Sequence, residues 1–392
     1  MSGVLYLAWR YLLWHRFKTA ILVLAVTLVI YLPVGLQLVV QRTAADMTAR
    51  ADSSPLLLGS RGSPLELVLN SLYFSAGSPP SLDYGQLQEL RDSGLVEPIP
   101  LYVRFHSAGH PIVGTNLDYF DFRGLELSRG RQMVGLGEAV VGSRVAQQLD
   151  VGAGDAVVSS PESVFDLAGV YPLKMWVVGV LAPAFSEDDN AIFVDIKTAW
   201  IIQGLGHGHQ DLARPEAAAA VLKKDGERIV ANAALVQYNE ITPDNSDTFH
   251  FHGDNDSNPL TAILPVPHND KAQVLILGRY QSHPELQIVQ PRLVMDELLA
   301  TVFAVQRYVL VAMVLVGIAT GAVVLLVFLL SLRARRAEMD TMSRLGGSAI
   351  AIGSLMLAEV ALVLLASALL AATLTGATLI LGGPLLQAVV TQ

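Results

Sequence analysis

Three long apolar runs, at residues 19–40, 308–332 and 349–381, constrain this chain more than any other feature of its sequence. Each is long enough for a helix to cross a bilayer, which takes about 20 residues. The second run contains no charged residue, and the third contains only Glu359. A mean hydropathy of +0.46 is too high for an ordinary soluble protein and too low for a simple bundle of spans. The sequence therefore predicts a multi-pass α-helical membrane protein with a large polar insert.

The segments around these runs divide the chain into distinct parts. Residues 1–18 mix aromatic residues with Arg10, Arg16 and Lys18, a composition typical of the lipid headgroup layer. A secretory signal peptide is the alternative, but the following run is long enough to span and no small-residue cleavage site follows it. The predicted parts are an interfacial amphipathic helix (1–18), a transmembrane helix (19–40), an extracytoplasmic domain (41–307) with stalk helices (41–52 and 291–307), a second transmembrane helix (308–332), a cytoplasmic linker helix (333–348), a third transmembrane helix (349–381), and an extracytoplasmic tail (382–392) that begins where Gly382, Gly383 and Pro384 break the third span.

Charge is distributed unevenly between these parts. The insert at 41–307 carries 19 lysines and arginines against 32 aspartates and glutamates, a balance of −13, whereas the two segments 1–18 and 333–348 are basic. Short basic segments mark the cytoplasmic side of a membrane, so the insert is predicted on the opposite side. An acidic insert is unfavourable for binding nucleic acid. The absence of cysteine excludes disulfides and thiolate metal sites.

The insert has the pattern of a mixed α+β domain, which we predict to form two lobes. Short apolar runs between turn residues indicate strands in its first part, and residues 218–242 and 260–290 resemble a second group of strands. A polar loop at 242–259 separates these two stretches. Strands are predicted at 98–105, 111–114, 138–142, 156–158, 174–181 and 191–195, and helices at 83–93, 143–149 and 196–203.

The motifs of several enzyme classes are missing from the sequence. It contains no G-x-x-x-x-G-K-[ST] nucleotide loop, no G-x-S-x-G and no H-E-x-x-H. We therefore predict a non-catalytic subunit, and any ATP-driven movement would have to come from another chain.

Histidines are the main candidates for binding chemistry, since eight of the nine lie in the insert. Two H-x-H pairs occur, and Asp254 follows the second pair. Alternate residues of a strand share one face, so such a pair could hold one ion, and Zn²⁺ accepts imidazole and carboxylate ligands. The alternative is that these are solvated loop histidines of an acidic domain. The candidate metal ligands are His207, His209, His250, His252 and Asp254.

The order of segments and several short motifs resemble those of FtsX/MacB-type permeases of ABC transporters. The linker Arg336-Ala-Glu-Met-Asp-Thr-Met-Ser-Arg344-Leu-Gly-Gly-Ser348 is similar to that family's linker, and Glu359 falls where the family often has a glutamate. The stretches from Glu138, Val151 and Val177 are similar to a strand–helix–Gly-Asp region of the family. The resemblance implies a coupling helix that docks on a separate ATPase subunit. The residues implied to couple are Arg333, Arg335, Arg336, Glu338, Arg344 and Gly346, with Glu359 as an intramembrane polar residue.

The same resemblance implies a homodimeric permease in a bacterial inner membrane, with a cytoplasmic N-terminus and a periplasmic domain. ATP would bind only to the partner subunit, and an extracytoplasmic lipoprotein, peptide, lipid or metal-binding protein could be the further partner. The family's fourth span has no equivalent here, so it is absent or truncated. Residues 199–209 are similar to histidine-rich segments of permeases from zinc-regulated systems. Two other functions remain open: a zinc-binding or metal-responsive membrane receptor without transport, and a scaffold that regulates a peptidase.

Overall fold

The computed structural model describes residues 2–160, 172–209, 221–225, 228–231, 238–251, 253–346 and 348–390. The chain divides into two compact units. The first, the helical unit, comprises Met1–Met47 and Glu297–Gln392, and the second, the insert unit, comprises Thr48–Asp296.

Long apolar helices make up the helical unit. Within the described residues, three helices are long and apolar enough to cross a membrane, over Arg16–Asp52, Pro291–Leu330 and Ala349–Leu379. The helices of the chain are α1 (Ser2–Trp14), α2 (Arg16–Asp52), α3 (Pro64–Tyr73), α4 (Gly85–Asp92), α5 (Asp118–Arg123), α6 (Ser143–Leu149), α7 (Ile196–Gln203), α8 (Asp270–Tyr280), α9 (Pro291–Ala334), α10 (Arg336–Arg344) and α11 (Ala349–Val390).

Small polar side chains join α2 to α11 inside the helical unit. The Ser367 hydroxyl donates to the Val23 carbonyl at 3.2 Å, and the hydroxyls of Tyr31 and Thr378 lie 2.8 Å apart. Such hydrogen bonds stabilise helix pairs where lipid supplies no hydrophobic driving force. The α11 helix also differs from the prediction, because it continues to Val390 through the residues predicted to break it. Membrane helices tolerate glycine and proline when neighbouring groups satisfy the backbone.

One ten-stranded sheet forms the centre of the insert unit, in the order β16-β1-β15-β3-β4-β9-β6-β8-β5, with β7 paired to β8. Three further two-stranded pairs are β10–β13, β11–β12 and β14–β2. The strands are β1 (Leu57–Ser60), β2 (Leu82–Asp83), β3 (Val96–Ser107), β4 (His110–Thr115), β5 (Leu127–Gly130), β6 (Glu138–Val141), β7 (Ala156–Val158), β8 (Lys174–Leu181), β9 (Ile192–Asp195), β10 (Gly206–Gly208), β11 (Val221–Asp225), β12 (Arg228–Ala231), β13 (Phe249–Phe251), β14 (Pro259–Leu260), β15 (Ala262–Pro267) and β16 (Leu286–Val289).

The long strand β3 joins two groups of strands that the sequence treats as separate lobes. Its first half, Val96 to Leu101, pairs with β15, and its second half, Tyr102 to Ser107, pairs with β4. A register shift between Val103 and Phe105 interrupts the second ladder, and such an irregularity bends a strand. The two groups therefore share one strand and belong to one compact unit, which differs from the predicted pair of lobes.

The elements predicted from the first part of the insert are present with small changes at their ends. In the predicted second group of strands, β11 and β12 lie within 218–242, and β15 and β16 lie within 260–290 on either side of α8, which occupies the middle of that range. Residues 218–220, 226–227 and 232–237 of this prediction lie outside the described residues. The Asn269 side chain caps α8 by accepting from the Ala272 amide at 3.0 Å. An asparagine at this position is a helix-start signal, but the apolar run Val274–Leu277 that follows favours a strand in the sequence. The segment predicted as a polar loop contains β13 and two 3₁₀ turns.

Candidate functional site

Two of the predicted metal ligands meet across the short antiparallel pair β10–β13, where His207 lies directly opposite His250. Their ring centroids are 4.9 Å apart, and the His209 ring lies 5.1 Å from that of His250 and 5.9 Å from that of His207. All three side chains are partly buried, and one nitrogen from each lies within 4.8 Å of the others. The structure therefore brings three of the five predicted ligands together as one histidine cluster, His207, His209 and His250.

The other face of the same strand pair is apolar. Gly206 and Gly208 flank the central histidine of β10, and the rings of Phe251 and Phe249 lie over them. A Cβ atom at either glycine would come within 2.6 Å of a ring carbon, so only glycine allows this close approach. Phe251 also contacts the buried Trp200 ring edge-to-face, with centroids 6.1 Å apart. Because residues alternate along a strand, the phenylalanines pack toward the core and the imidazoles lie on the opposite face.

The two remaining predicted ligands do not join the histidine cluster in the structure. His252 lies outside the described residues. Asp254 is exposed, and its carboxylate accepts from the Asp256 amide at 3.1 Å as the cap of a 3₁₀ turn. The described part of the chain therefore assigns Asp254 a local capping role rather than a place beside the imidazoles.

The predicted coupling segment forms its own short helix, α10, between the much longer α9 and α11. A turn at Arg335 separates α10 from α9, and Gly346 follows its end with a φ of +93°. Glycine adopts this backbone conformation without strain, so the role of Gly346 is to end the segment. Glu338 lies in α10, and its side chain is not described. The exposed predicted residues of the segment are Arg333, Arg336, Arg344 and Gly346.

Arg335 differs from its neighbours because it is buried, with 8% of its surface exposed. Its Nη1 atom donates to both carboxylate oxygens of Glu359, each at 3.0 Å, and Glu359 is 5% exposed. The guanidinium carbon lies 3.6 Å from the centroid of the Tyr11 ring. Arg335 thus links α1, the end of α9 and α11 within the helical unit. Its burial differs from the predicted partner-facing role and makes it a residue that holds the helices together.

A second buried arginine, which sequence reasoning missed, lies in the last turn of α2. Arg50 donates from Nη1 to Asp188 Oδ2 at 2.6 Å and from Nη2 to Asp188 Oδ1 at 2.9 Å. Its Nη2 also donates to the Tyr119 hydroxyl at 2.9 Å, and its Nε donates to the Leu72 carbonyl. Its guanidinium lies 5.1 Å from the Phe74 ring centroid. Arg50 therefore fastens the C-terminal end of α2 to the core of the insert unit.

Ionisation of this network follows from its burial and its charges. Burial alone would raise the pKa of Asp188, but the Arg50 charge and the hydrogen bonds from Arg50 and Tyr119 outweigh burial and lower it. Burial is also the largest cause for Tyr119, and it raises the pKa of that hydroxyl to about 12 although the Arg50 charge acts in the opposite direction. At neutral pH the network is an ion pair held by a neutral tyrosine. The only sequence signal for it is one arginine at the end of an apolar helix.

Comparison with known proteins places the insert in a family. Residues 19–238 match the family of the MacB-like periplasmic core domain. No curated protein matches the chain. The extracellular domain of the noncanonic ABC-type transporter YknZ from Gram-positive bacteria is 12% identical, with a TM-score of 0.33, over 60% of this chain and 98% of that chain. The periplasmic region of MacB from Actinobacillus actinomycetemcomitans is 9% identical, with a TM-score of 0.34, over 65% of this chain and 97% of that chain.

The family match covers more than half of the chain, from the predicted first span through most of the strands of the insert. It agrees with the predicted α+β fold of the insert and with the predicted resemblance to FtsX/MacB-type permeases. The chain therefore belongs to the MacB-like periplasmic core domain family and is an FtsX/MacB-like permease-type subunit of an ABC transporter.

Proposed function

We propose that this permease contacts a separate ABC ATPase through α10 and passes the ATPase's movements to the insert unit. The observation that carries the proposal is the form of the linker. It is a short helix of nine residues, Arg336–Arg344, held between two long apolar helices. A polar helix fixed at both ends to spans can move those spans when a partner pushes on it.

The charges on and beside α10 suit a protein contact. Arg336 and Arg344 are exposed on the helix, and Arg333 is exposed just before it. An open cavity of about 840 Å³ lies between α9, α10 and α11 and is lined in part by Arg333, Arg336 and Asp340. Arginine binds carboxylates with a fixed, bidentate geometry, and it is enriched in protein interfaces. These side chains offer an acidic partner surface both charge pairing and a recess.

Two continuous helices are suited to carry the movement onward. α2 and α9 each extend without interruption from a candidate span into the insert unit. At its end α2 is fastened by Arg50, and Asp52 accepts from Arg292 of α9 at 2.8 Å. Within the insert unit, the C-terminal end of α2 is thus joined to the start of α9 and, through Arg50, to the turn that carries Asp188. A displacement along either helix would reach the insert unit as one movement.

The further parts of the proposal concern assembly and place. Two permease chains and two ATPase subunits would form the complex in a bacterial inner membrane, with the N-terminus and α10 in the cytoplasm and the insert unit in the periplasm. The permease itself is non-catalytic. The movement would act on a lipoprotein, a peptide, a lipid or a metal-handling partner. Membership of an ABC permease family favours this function over a metal receptor without transport.

Charge reversal tests the proposed contact. The chain is co-expressed with its ABC ATPase, and the amount of ATPase that co-purifies per permease chain is measured for a variant with Arg333→Glu, Arg336→Glu and Arg344→Glu. We expect binding to fall by at least tenfold, because three attractive charges become repulsive. Arg279→Glu is the matched control, since Arg279 is an exposed arginine in the last turn of α8 in the insert unit. Unchanged co-purification of the triple variant would refute the contact.

A further inference from the structure

We propose that His207, His209 and His250 form a binding site for Zn²⁺ with three imidazole ligands. This inference goes beyond the proposed function and does not depend on it. It starts from the register of β10 and β13, which places two imidazoles directly across from each other. The third comes from His209, the residue that follows β10. Two separate parts of the chain therefore supply the donors.

The distances in the histidine cluster fit a zinc ion after small side-chain rotations. Zinc–nitrogen bonds of about 2.0–2.1 Å place the nitrogens of a tetrahedral site about 3.3 Å apart. The three donor nitrogens already lie within 4.8 Å of one another. Rotations about χ1 and χ2 of the histidines can close a difference of this size. The backbone need not move, because the pairing of β10 with β13 holds it in place.

A hydrogen bond prepares one of the imidazoles for metal binding. Nδ1 of His250 lies 2.9 Å from the Thr248 carbonyl oxygen. A carbonyl can only accept, so Nδ1 carries the proton and the lone pair is on Nε2. Metal-binding histidines commonly make this second interaction, which fixes the tautomer and the orientation of the ring. The Thr248 carbonyl is itself held in place, because the Thr248 amide and hydroxyl donate to the Asn245 carbonyl at 3.0 and 2.7 Å.

The apolar face of the strand pair holds the site against the core. Phe249 and Phe251 pack over the glycines on either side of His207, and Phe251 also contacts Trp200. Packing of this kind restricts movement of both strands, so the imidazoles are held near one another before any ion binds. The glycine–phenylalanine pairing therefore supports a built site rather than a chance cluster.

The composition of the histidine cluster selects the class of ion. Imidazole ligands suit zinc, copper and nickel, whereas calcium and magnesium require oxygen ligands. Three imidazoles leave one position of a four-coordinate zinc ion to a water molecule or another donor. A three-ligand site with one open position differs from the closed four-ligand sites that have purely structural roles.

Zinc titration of the full-length chain tests the site. The protein is purified in detergent with an affinity tag that contains no histidine. The affinity and stoichiometry of Zn²⁺ binding are measured by competition with a chromogenic chelator. We expect one ion per chain, and His207→Gln, His209→Gln and His250→Gln should each weaken binding at least about 10- to 100-fold, since loss of an outer-shell contact alone costs that much. Co²⁺ in place of Zn²⁺ should give the strong visible absorption of a tetrahedral site, and each substitution should remove it.

A matched histidine and a folding measurement complete the design. His268→Gln is the control, because His268 is exposed in the same unit and lies outside the histidine cluster. Its zinc affinity should equal that of the unaltered chain. Thermal unfolding without metal identifies any variant that fails to fold. If one cluster variant does not fold, the zinc affinities of the other two cluster variants test the site. The proposal would be overturned if the unaltered chain showed no saturable zinc binding, or if all three cluster variants bound zinc as tightly as the unaltered chain. It would also be overturned if His268→Gln weakened zinc binding as much as the cluster substitutions.

Discussion

The chain has two buried arginines among its described residues, Arg50 in the insert unit and Arg335 in the helical unit. Each pairs with a buried carboxylate, but the geometry of the two pairs differs. Arg50 uses two guanidinium nitrogens on the two oxygens of Asp188, whereas Arg335 places one nitrogen against both oxygens of Glu359. Both arginines also lie over an aromatic ring. The fork of Arg50 is the stronger arrangement, because two parallel hydrogen bonds fix the angle as well as the distance.

The difference suggests what each pair is for. Arg50 is surrounded by a folded core and holds the end of α2 rigidly. Arg335 lies at the turn between α9 and α10 and ties that turn to α11 through Glu359. In the proposed function, Arg50 is a rigid joint at the C-terminal end of α2, and Arg335 is a joint that keeps the turn beside α10 attached to α11. Three substitutions test this ranking, from the largest expected effect to the smallest.

Arg50→Met should produce the largest loss of stability. It leaves the Asp188 carboxylate buried and unpaired, which costs about 3–5 kcal/mol. The free energy of unfolding is measured by denaturant titration in detergent and followed by tryptophan fluorescence, to which Trp176 and Trp200 of the insert unit contribute. The double variant Arg50→Met, Asp188→Leu should recover most of the loss, because it removes the unpaired charge. A loss below 1 kcal/mol would contradict the rigid joint.

Glu359→Gln should cost less, about 1.5–3 kcal/mol, which is the usual contribution of a hydrogen bond to a charged group. The amide keeps one oxygen as an acceptor for Arg335, and the ring of Tyr11 still covers the guanidinium. The midpoint of thermal unfolding of the purified chain measures the change, with Ser354→Ala on the same helix as the control. If Glu359→Gln destabilised the chain as much as Arg50→Met, the two joints would not differ as described.

Arg131→Met should have the smallest effect, because Arg131 pairs with Glu138 at the surface, with 56% of its side chain exposed. Exposed pairs contribute little to stability, because water and salt screen the two charges. The hydrogen bonds from Arg131 are the largest cause that lowers the pKa of Glu138 to about 2. A lowered pKa stabilises the folded chain above the ordinary carboxyl pKa, and this stabilisation is lost as the pH falls toward 2. Arg131→Met should therefore flatten the loss of stability between about pH 4.5 and pH 2. Denaturant titrations across that range provide the measurement, and an unchanged pH profile would show that the pair does not lower the pKa.

Sequence patterns predicted those parts of the fold that depend on local alternation. The strand from Lys174 to Leu181 and the helices from Ser143 and Ile196 have the predicted bounds, since turn residues flank each of them. The helix α8 was missed because its apolar residues form a continuous run instead of a helical period. The pairing of β3 with two neighbours was missed as well, because sequence gives no register between distant strands.

The candidate sites show the same limit. The two H-x-H pairs indicated a metal site, but the strands bring His207 and His209 to His250 through a pairing that sequence does not reveal. The sequence does not distinguish Arg333, Arg335 and Arg336, which are three arginines of one basic segment. In the structure a turn lies at position 335, and only the Arg335 side chain of these three is buried. Arg50 gave only the weak signal of an arginine at the end of an apolar helix, since its partner Asp188 is far away in the chain and meets it only after folding.

Site-specific crosslinking most directly tests whether the exposed arginines Arg336 and Arg344 contact the ATPase while the buried Arg335 does not. A photo-crosslinking amino acid is placed singly at Arg335, Arg336, Asp340 or Arg344 in the chain co-expressed with its ABC ATPase, and covalent permease–ATPase products are measured. We expect crosslinks from the exposed positions 336, 340 and 344 and none from the buried position 335. A complex that forms normally but gives crosslinks from none of the three exposed positions would contradict this expectation.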